Sequence, residues 1–251
     1  MLKSLNHLTN SSVTASDGDI GKVKAAFFDD QWWTIRYLVV DTGAWLMQRE
    51  VLISPYAVKH PLGAEKNIEL NLTRKSVEGS PNVDTHQPVS RQHEIEMHNH
   101  YGFPDYWDDM GAWGMGGYPF LAPGIATDPS LQKVSAPKGD AHLRSSAKVT
   151  GYNIVATDES IGHVQDFVFD DESWTIRYLV IDTRNWWPGG KKVLIATHWI
   201  ESTDWATSTV HVKLMREDIK NSPAYEEEVP IIRHYETRLH ESYSRIGYWD
   251  Y

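Results

Sequence analysis

Along Thr34–Asp41, Ile35, Tyr37 and Val39 share one face, and Leu38 and Val40 share the other. That pattern predicts a strand covered on both sides near its end. Lys22–Phe28 predicts the strand before it, with Asp29-Asp30 as turn chemistry between them. Val51–Ile53 and Asn67–Leu72 supply two more strands. In the second of these, Ile68, Leu70 and Leu72 alternate with polar residues, as in a half-buried strand. A short strand near Ser12-Val13-Thr14 completes five or six. Thr73 has the chemistry of a cap for a short helix ending near Gly79-Ser80-Pro81. Short strands in this number predict a small barrel that closes its own edges.

The same pattern is written twice. Ile20–Thr42 and Ile161–Thr183 are identical at 15 of 23 positions, including Trp33-Thr34-Ile35-Arg36-Tyr37-Leu38-Val39 and Trp174-Thr175-Ile176-Arg177-Tyr178-Leu179-Val180. The offset of 141 becomes 142 where Val51-Leu52-Ile53 meets Val193-Leu194-Ile195, and it carries on into the tails. There Arg91 meets Arg233, Glu94 meets Glu236, and Tyr106-Trp107-Asp108 meets Tyr248-Trp249-Asp250. A duplicated unit of about 100 residues accounts for this. The predicted division is residues 1–98, a linker over 99–146, and 147–251. Glycine is dense from Gly111 to Gly117, which argues against regular structure there. The neighbouring rings are expected to drape over barrel surface, and Pro129–Ser146 to form a flexible linker. The matched tails, Pro88–Trp107 and Pro230–Trp249, are expected to cross between the barrels.

Composition narrows the function classes. Hydrophobic residues make up 41% and charged residues 23%, which is ordinary for a globular protein. The net charge of −10 disfavours general binding to nucleic-acid backbones or anionic membrane surfaces. The absence of cysteine excludes disulfides, thiolate metal sites and a thiol nucleophile. No apolar run is long enough for a membrane span and no secretory leader is visible, so a soluble, cytoplasmic protein without membrane insertion is expected.

Few residues carry candidate chemistry. Asp29-Asp30 and Asp170-Asp171 have the pairing used in general acid–base catalysis, and equally the chemistry of hairpin turns. Arg36 and Arg177 lie within apolar strands, where they can hold an anion or lay their stems on the sheet beside an edge carboxylate. Gly21 and Gly162 mark a tight bend or bulge. His86, His93, His98 and His100 cluster beside Glu94 and Glu96. If Val89–His100 is helical, Glu94 and His98 lie at i,i+4, and Glu236 and His240 repeat the spacing. These two pairs are candidate metal ligands, or charge pairs on a solvated helix. There is no Gly-x-Ser-x-Gly and no phosphate-cradling loop. No enzyme activity and no cofactor are expected. Trp113, Tyr118 and Phe120 have no counterpart in the second copy, and Trp186-Trp187 form a hairpin tip. These five rings are candidate partner contacts, with tucking onto the barrels the alternative for the first three.

The paired Ile-Gly motifs, the Phe-x-x-x-x-Trp-x-Ile-Arg-Tyr-Leu-Val-x-Asp-Thr strands and the Val-Leu-Ile segments resemble the PRC-barrel family. That family is named for the cytoplasmic domain of the photosynthetic reaction centre H subunit and shared with the ribosome-maturation factor RimM. The tandem arrangement is similar to that of bacterial tandem PRC-barrel proteins. A mainly β protein of two tandem small barrels with short peripheral helices is expected, its units related by a pseudo-two-fold axis as in a fused self-associating domain, and the resemblance implies barrels of the six-stranded type. It also implies a non-enzymatic adaptor or scaffold that binds a protein partner. The alternative is a small-ligand or metal-binding sensor that uses the histidine-rich tails.

Overall fold

The computed structural model describes residues 1–60, 62, 66–82, 89–107, 112–113, 117–120, 142–186 and 188–250. In chain order the first elements are β1 (Leu2–Ser4), α1 (Leu5–Leu8), β2 (Ser12–Ala15), β3 (Gly18–Asp29), β4 (Ile35–Asp41), β5 (Glu50–Ile53) and β6 (Asn67–Glu69). Next come α2 (Arg74–Glu78), α3 (Arg91–Tyr101), β7 (Leu143–Ser145), α4 (Ser146–Val149), β8 (Asn153–Val155), β9 (Ser160–Asp170) and β10 (Ile176–Asp182). The last are β11 (Lys192–Ala196), β12 (Ile200–Asp204), β13 (Thr209–Val212), α5 (Arg216–Asn221) and α6 (Arg233–Ser242). The protein is mainly β, with two sheets and short helices.

Two compact units result. The first contains His7–Ser146 and Asp171–Thr175; the second contains Met1–Asn6, Ala147–Asp170 and Ile176–Tyr251. In the first, the strand order is β5-β4-β3-β2-β6, with β7 on β3. In the second it is β11-β10-β9-β8-β13-β12, with β1 on β9. The ladders are not closed by continuous pairing as expected. In the first unit the chain bends through a 3-10 turn at Pro55–Ala57, and Val58 then bridges Leu70 just past β6. In the second it bends at Thr197–Trp199 and continues as β12 beside β13. One bent strand therefore serves both edges of each sheet, leaving a barrel-like shape.

The expected strands all form, with shifts at their ends. β3 starts earlier than expected, at Gly18, and β6 ends at Glu69. Thr73 caps α2 by accepting from the Ser76 amide. The tails do not cross between barrels. α3 stays with the first unit, where Val89 and Met97 join a core of Phe27, Tyr37, Val39, Leu52 and Leu143. α6 stays with the second. The reason is polar as well as apolar, because the carboxylate on each helix is bonded to a tyrosine of the same unit, on β4 or β10. The elements that leave their own repeat are the opening strands. Leu2–Ser4 pairs with Val168–Asp170, and Leu143–Ser145 pairs with Phe27–Asp29. Ser4 and the Asn6 amide hold β1 in place by donating to Asp166. Of the linker, residues 121–141 lie outside the described residues, and so does most of the glycine run.

Gly21 is where the first sheet permits no side chain. Its φ is +156°, and a Cβ there would stand 1.9 Å from the Asp41 carbonyl oxygen. At Gly162 the matching distance, to Asp182 O, is 2.4 Å. Both clashes are with backbone of the adjacent strand, which cannot rotate away. Gly21→Ala is expected to lower stability by about 2 kcal/mol, read as a lower midpoint in urea. Wild-type stability in that variant would show that the strands part there without penalty.

Candidate functional site

Each unit contains a buried polar cluster, built on β4 and α3 in the first and on β10 and α6 in the second. In the first unit, Ser90 caps α3 by accepting from the His93 amide, and Gly102, at φ 69°, ends it with its N–H on His98 O. The helix thereby turns Arg91, Glu94 and His98 toward β4. Glu94 and His98 are 0% and 1% exposed. The Tyr37 hydroxyl lies 3.2 Å from Glu94 Oε2, to which it donates, and 3.0 Å from His98 Nε2. The Tyr106 hydroxyl donates to the same carboxylate oxygen. Arg91 Nη1 and His142 Nε2 stand 3.1 Å and 3.0 Å from Glu94 Oε1.

The second unit repeats the arrangement. The Tyr178 and Tyr248 hydroxyls donate to Glu236 Oε1 at 2.9 Å and 3.0 Å. Arg233 Nη1 is 3.0 Å from Glu236 Oε2, and Tyr178 lies 3.0 Å from His240 Nε2.

The proton inventory follows from the acceptors. His98 Nδ1 lies 2.8 Å from the Pro104 carbonyl oxygen, which only accepts, so Nδ1 carries hydrogen. Nε2 of the neutral ring is then an acceptor, and it shares the one Tyr37 proton with Glu94. His240 Nδ1 faces Ile246 O at 2.9 Å in the same way. Burial lowers the His98 imidazole to about 4, against the opposing pull of Glu94 and the Pro104 carbonyl. Burial opposes ionisation of Glu94 as well, but His142 and the Arg91 charge outweigh it and hold the carboxyl below its ordinary value. Burial, then the Glu94 charge, push the Tyr37 and Tyr106 hydroxyls well up. A neutral imidazole and an ionised, buried carboxylate make a fastener between helix and sheet.

The helix is therefore not solvated on this face, contrary to one of the sequence expectations. The two pairs proposed as metal ligands, Glu94 with His98 and Glu236 with His240, are engaged with tyrosines. Among the described residues no three His, Asp or Glu side chains are grouped to hold an ion. His93 and His100 point elsewhere, to Ser90 Oγ and Ser76 O, and His86 lies outside the described residues. Asp29 accepts from the Trp32 amide and from Arg36 Nε at 2.6 Å, which joins the turn and edge-carboxylate readings in one residue. Arg177 is looser, 3.9 Å from Asp170.

Of the ring candidates, Trp113 is buried, its indole donating to Ser173 O at 2.7 Å. Tyr118 and Phe120 are exposed, at 56% and 58%. Trp186 is half-buried and donates to Ser160 Oγ, and Trp187 lies outside the described residues.

Sequence reasoning missed Tyr37, Tyr178 and Tyr106 as members of the clusters. A signal for them existed. Across the α3 and α6 copies only Arg91, Glu94, His98 and Tyr101 keep their identity, as Arg233, Glu236, His240 and Tyr243. Those positions share one helix face.

No curated protein matches the chain. No described helix is long and apolar enough to cross a membrane. A PRC-barrel domain is found at residues 143–219, from β7 through the β9–β10 hairpin into α5.

Proposed function

We propose that the chain is a non-enzymatic adaptor that binds a protein partner, and that the first unit is a second barrel of the type found at residues 143–219. The matched registers support the tandem reading. Val23 pairs with Val40 and Lys22 with Asp41 in the first sheet, as Val164 pairs with Ile181 and His163 with Asp182 in the second. The observation that carries the adaptor reading is the duplicated cluster. Its tyrosine, histidine and helix-arginine contacts to the carboxylate or to each other recur in both units, so they serve what the units share, the fold. What differs between the copies is surface, and a PRC-barrel domain suggests interaction rather than chemistry.

Immobilised full-length protein is expected to retain one partner in stoichiometric amount, reproducibly and above a matched unrelated bait. A chain that retains nothing, or that turns over a small molecule in a manner abolished by a single polar replacement, would overturn the reading.

A further inference from the structure

The two clusters differ in what covers their outer guanidinium. In the first unit Arg36 is 2% exposed. Its Nε donates to Asp29 and its Nη1 to the Ala112 carbonyl. Its Cζ lies 3.8 Å from the Tyr106 ring centre on one side and 4.8 Å from Trp113 on the other. Trp113 also meets Tyr56 edge-on at 5.0 Å. A two-residue piece of chain, Ala112-Trp113, thus seals the arginine, Tyr56 and Tyr106 from solvent.

The counterparts in the second unit are Arg177, His198 and Tyr248, and they are open. Arg177 lies 4.3 Å over Tyr248 much as Arg36 lies over Tyr106. Yet its side chain is 27% exposed, although its Nε is itself buried and has no hydrogen-bond partner among the described residues. His198 is exposed and Tyr248 half-exposed. Arg233, 4.0 Å over Trp249, is 54% exposed. Among the described residues none supplies Arg177 with a backbone carbonyl.

We propose that this platform is the docking site for a tryptophan-bearing segment of a partner protein, seated as Ala112-Trp113 is seated in the first unit. The proposal rests on the adaptor reading and gives its partner a chemistry. A backbone carbonyl of the segment accepts from an Arg177 Nη–H, as Ala112 O accepts from Arg36 Nη1. The indole ring lies against the Arg177 guanidinium, His198 and Tyr248. Such an occupant adds a cation–π contact on the exposed part of the guanidinium, and a tryptophan in a shallow aromatic seat is a frequent anchor of interfaces. The formal charges of Arg177 and Arg233 are balanced by Asp170 and Glu236. A neutral aromatic segment therefore suits the platform better than a free anion.

The test titrates full-length protein with a synthetic peptide of the sequence Asp109–Gly117, carrying a fluorine label on its tryptophan and read by fluorine NMR. Saturable one-to-one binding is expected with Kd of about 0.1–1 mM. It should weaken at least fivefold with Arg177→Gln, with His198→Ala, and with a peptide whose tryptophan is replaced by alanine. His198 is exposed, so its variant folds even if Arg177→Gln does not. Absence of saturation at about 5 mM would overturn the proposal. So would binding unchanged in both protein variants, or displacement by equimolar inorganic phosphate. Failure here leaves partner capture by the full chain standing, whereas peptide binding without any captured partner counts against the adaptor reading alone.

Discussion

Replacing Glu94 by alanine is expected to destabilise the protein by about 3–5 kcal/mol, the largest loss from any single truncation on this helix. The carboxylate is fully buried and meets four groups: the Tyr37 and Tyr106 hydroxyls, Arg91 and His142. Removing it leaves a buried guanidinium without its counter-charge and two hydroxyls without their acceptor, each a desolvation penalty no longer offset. Loss of contact area is secondary, since the deleted carboxymethyl group is small. Glu94→Gln keeps the shape and an acceptor oxygen, so it should fall between wild type and alanine. Urea unfolding followed by near-UV circular dichroism measures the loss, and hydrogen exchange localises it to α3. A loss under about 1 kcal/mol would mean that apolar contacts from Val89 and Met97 hold the helix without the carboxylate.

The repeated strands were legible because their alternation is local. Ile35, Tyr37 and Val39 announce a buried face within five residues, and no distant partner is needed to read it. The helix resisted the same approach. Arg91, Glu94 and His98 are polar, and polar residues at helical spacing read as a solvated surface unless their partners are known. Those partners, Tyr37 on β4 and Tyr106 beyond the helix, lie 57 and 12 residues from Glu94. Only the internal repeat carried the information, because the residues surviving duplication on this helix are those that face the sheet. The exchange of opening strands had no signature of that kind. Leu2–Ser4 and Leu143–Ser145 are near-equivalent, so either suits β3 or β9 by local pattern, and the pairing is settled by where the chain leads. Arg36 was half legible. Its pairing with a turn carboxylate followed from strand chemistry, but its cover by Ala112-Trp113 depends on a glycine-rich segment with no periodicity to read.

Stability should fall by about 3 kcal/mol from the His98 contribution alone as pH drops from about 6.5 toward 4. Burial takes the imidazole from 6.5 to about 4 in the folded protein. Between those values the unfolded chain binds a proton at this residue and the folded chain does not. Acidification therefore favours unfolding throughout that interval, and the contribution is fully present only above about 6.5. Glu94, held below its ordinary value, acts in the same direction but at lower pH, starting below its unfolded value of 4.5. The two are separable because the histidine is lost first. His240, also lowered by burial, acts in the same sense. Unfolding free energies measured at pH 4.5, 5.5 and 7 should decline steeply for wild type and more gently for His98→Gln. The discriminating quantity is the difference in slope, since the substitution also weakens the Tyr37 contact at every pH. Parallel slopes would show that His98 is protonated in the fold. Its Nε2–H would then donate to the Tyr37 oxygen, and the Tyr37 proton would pass entirely to Glu94.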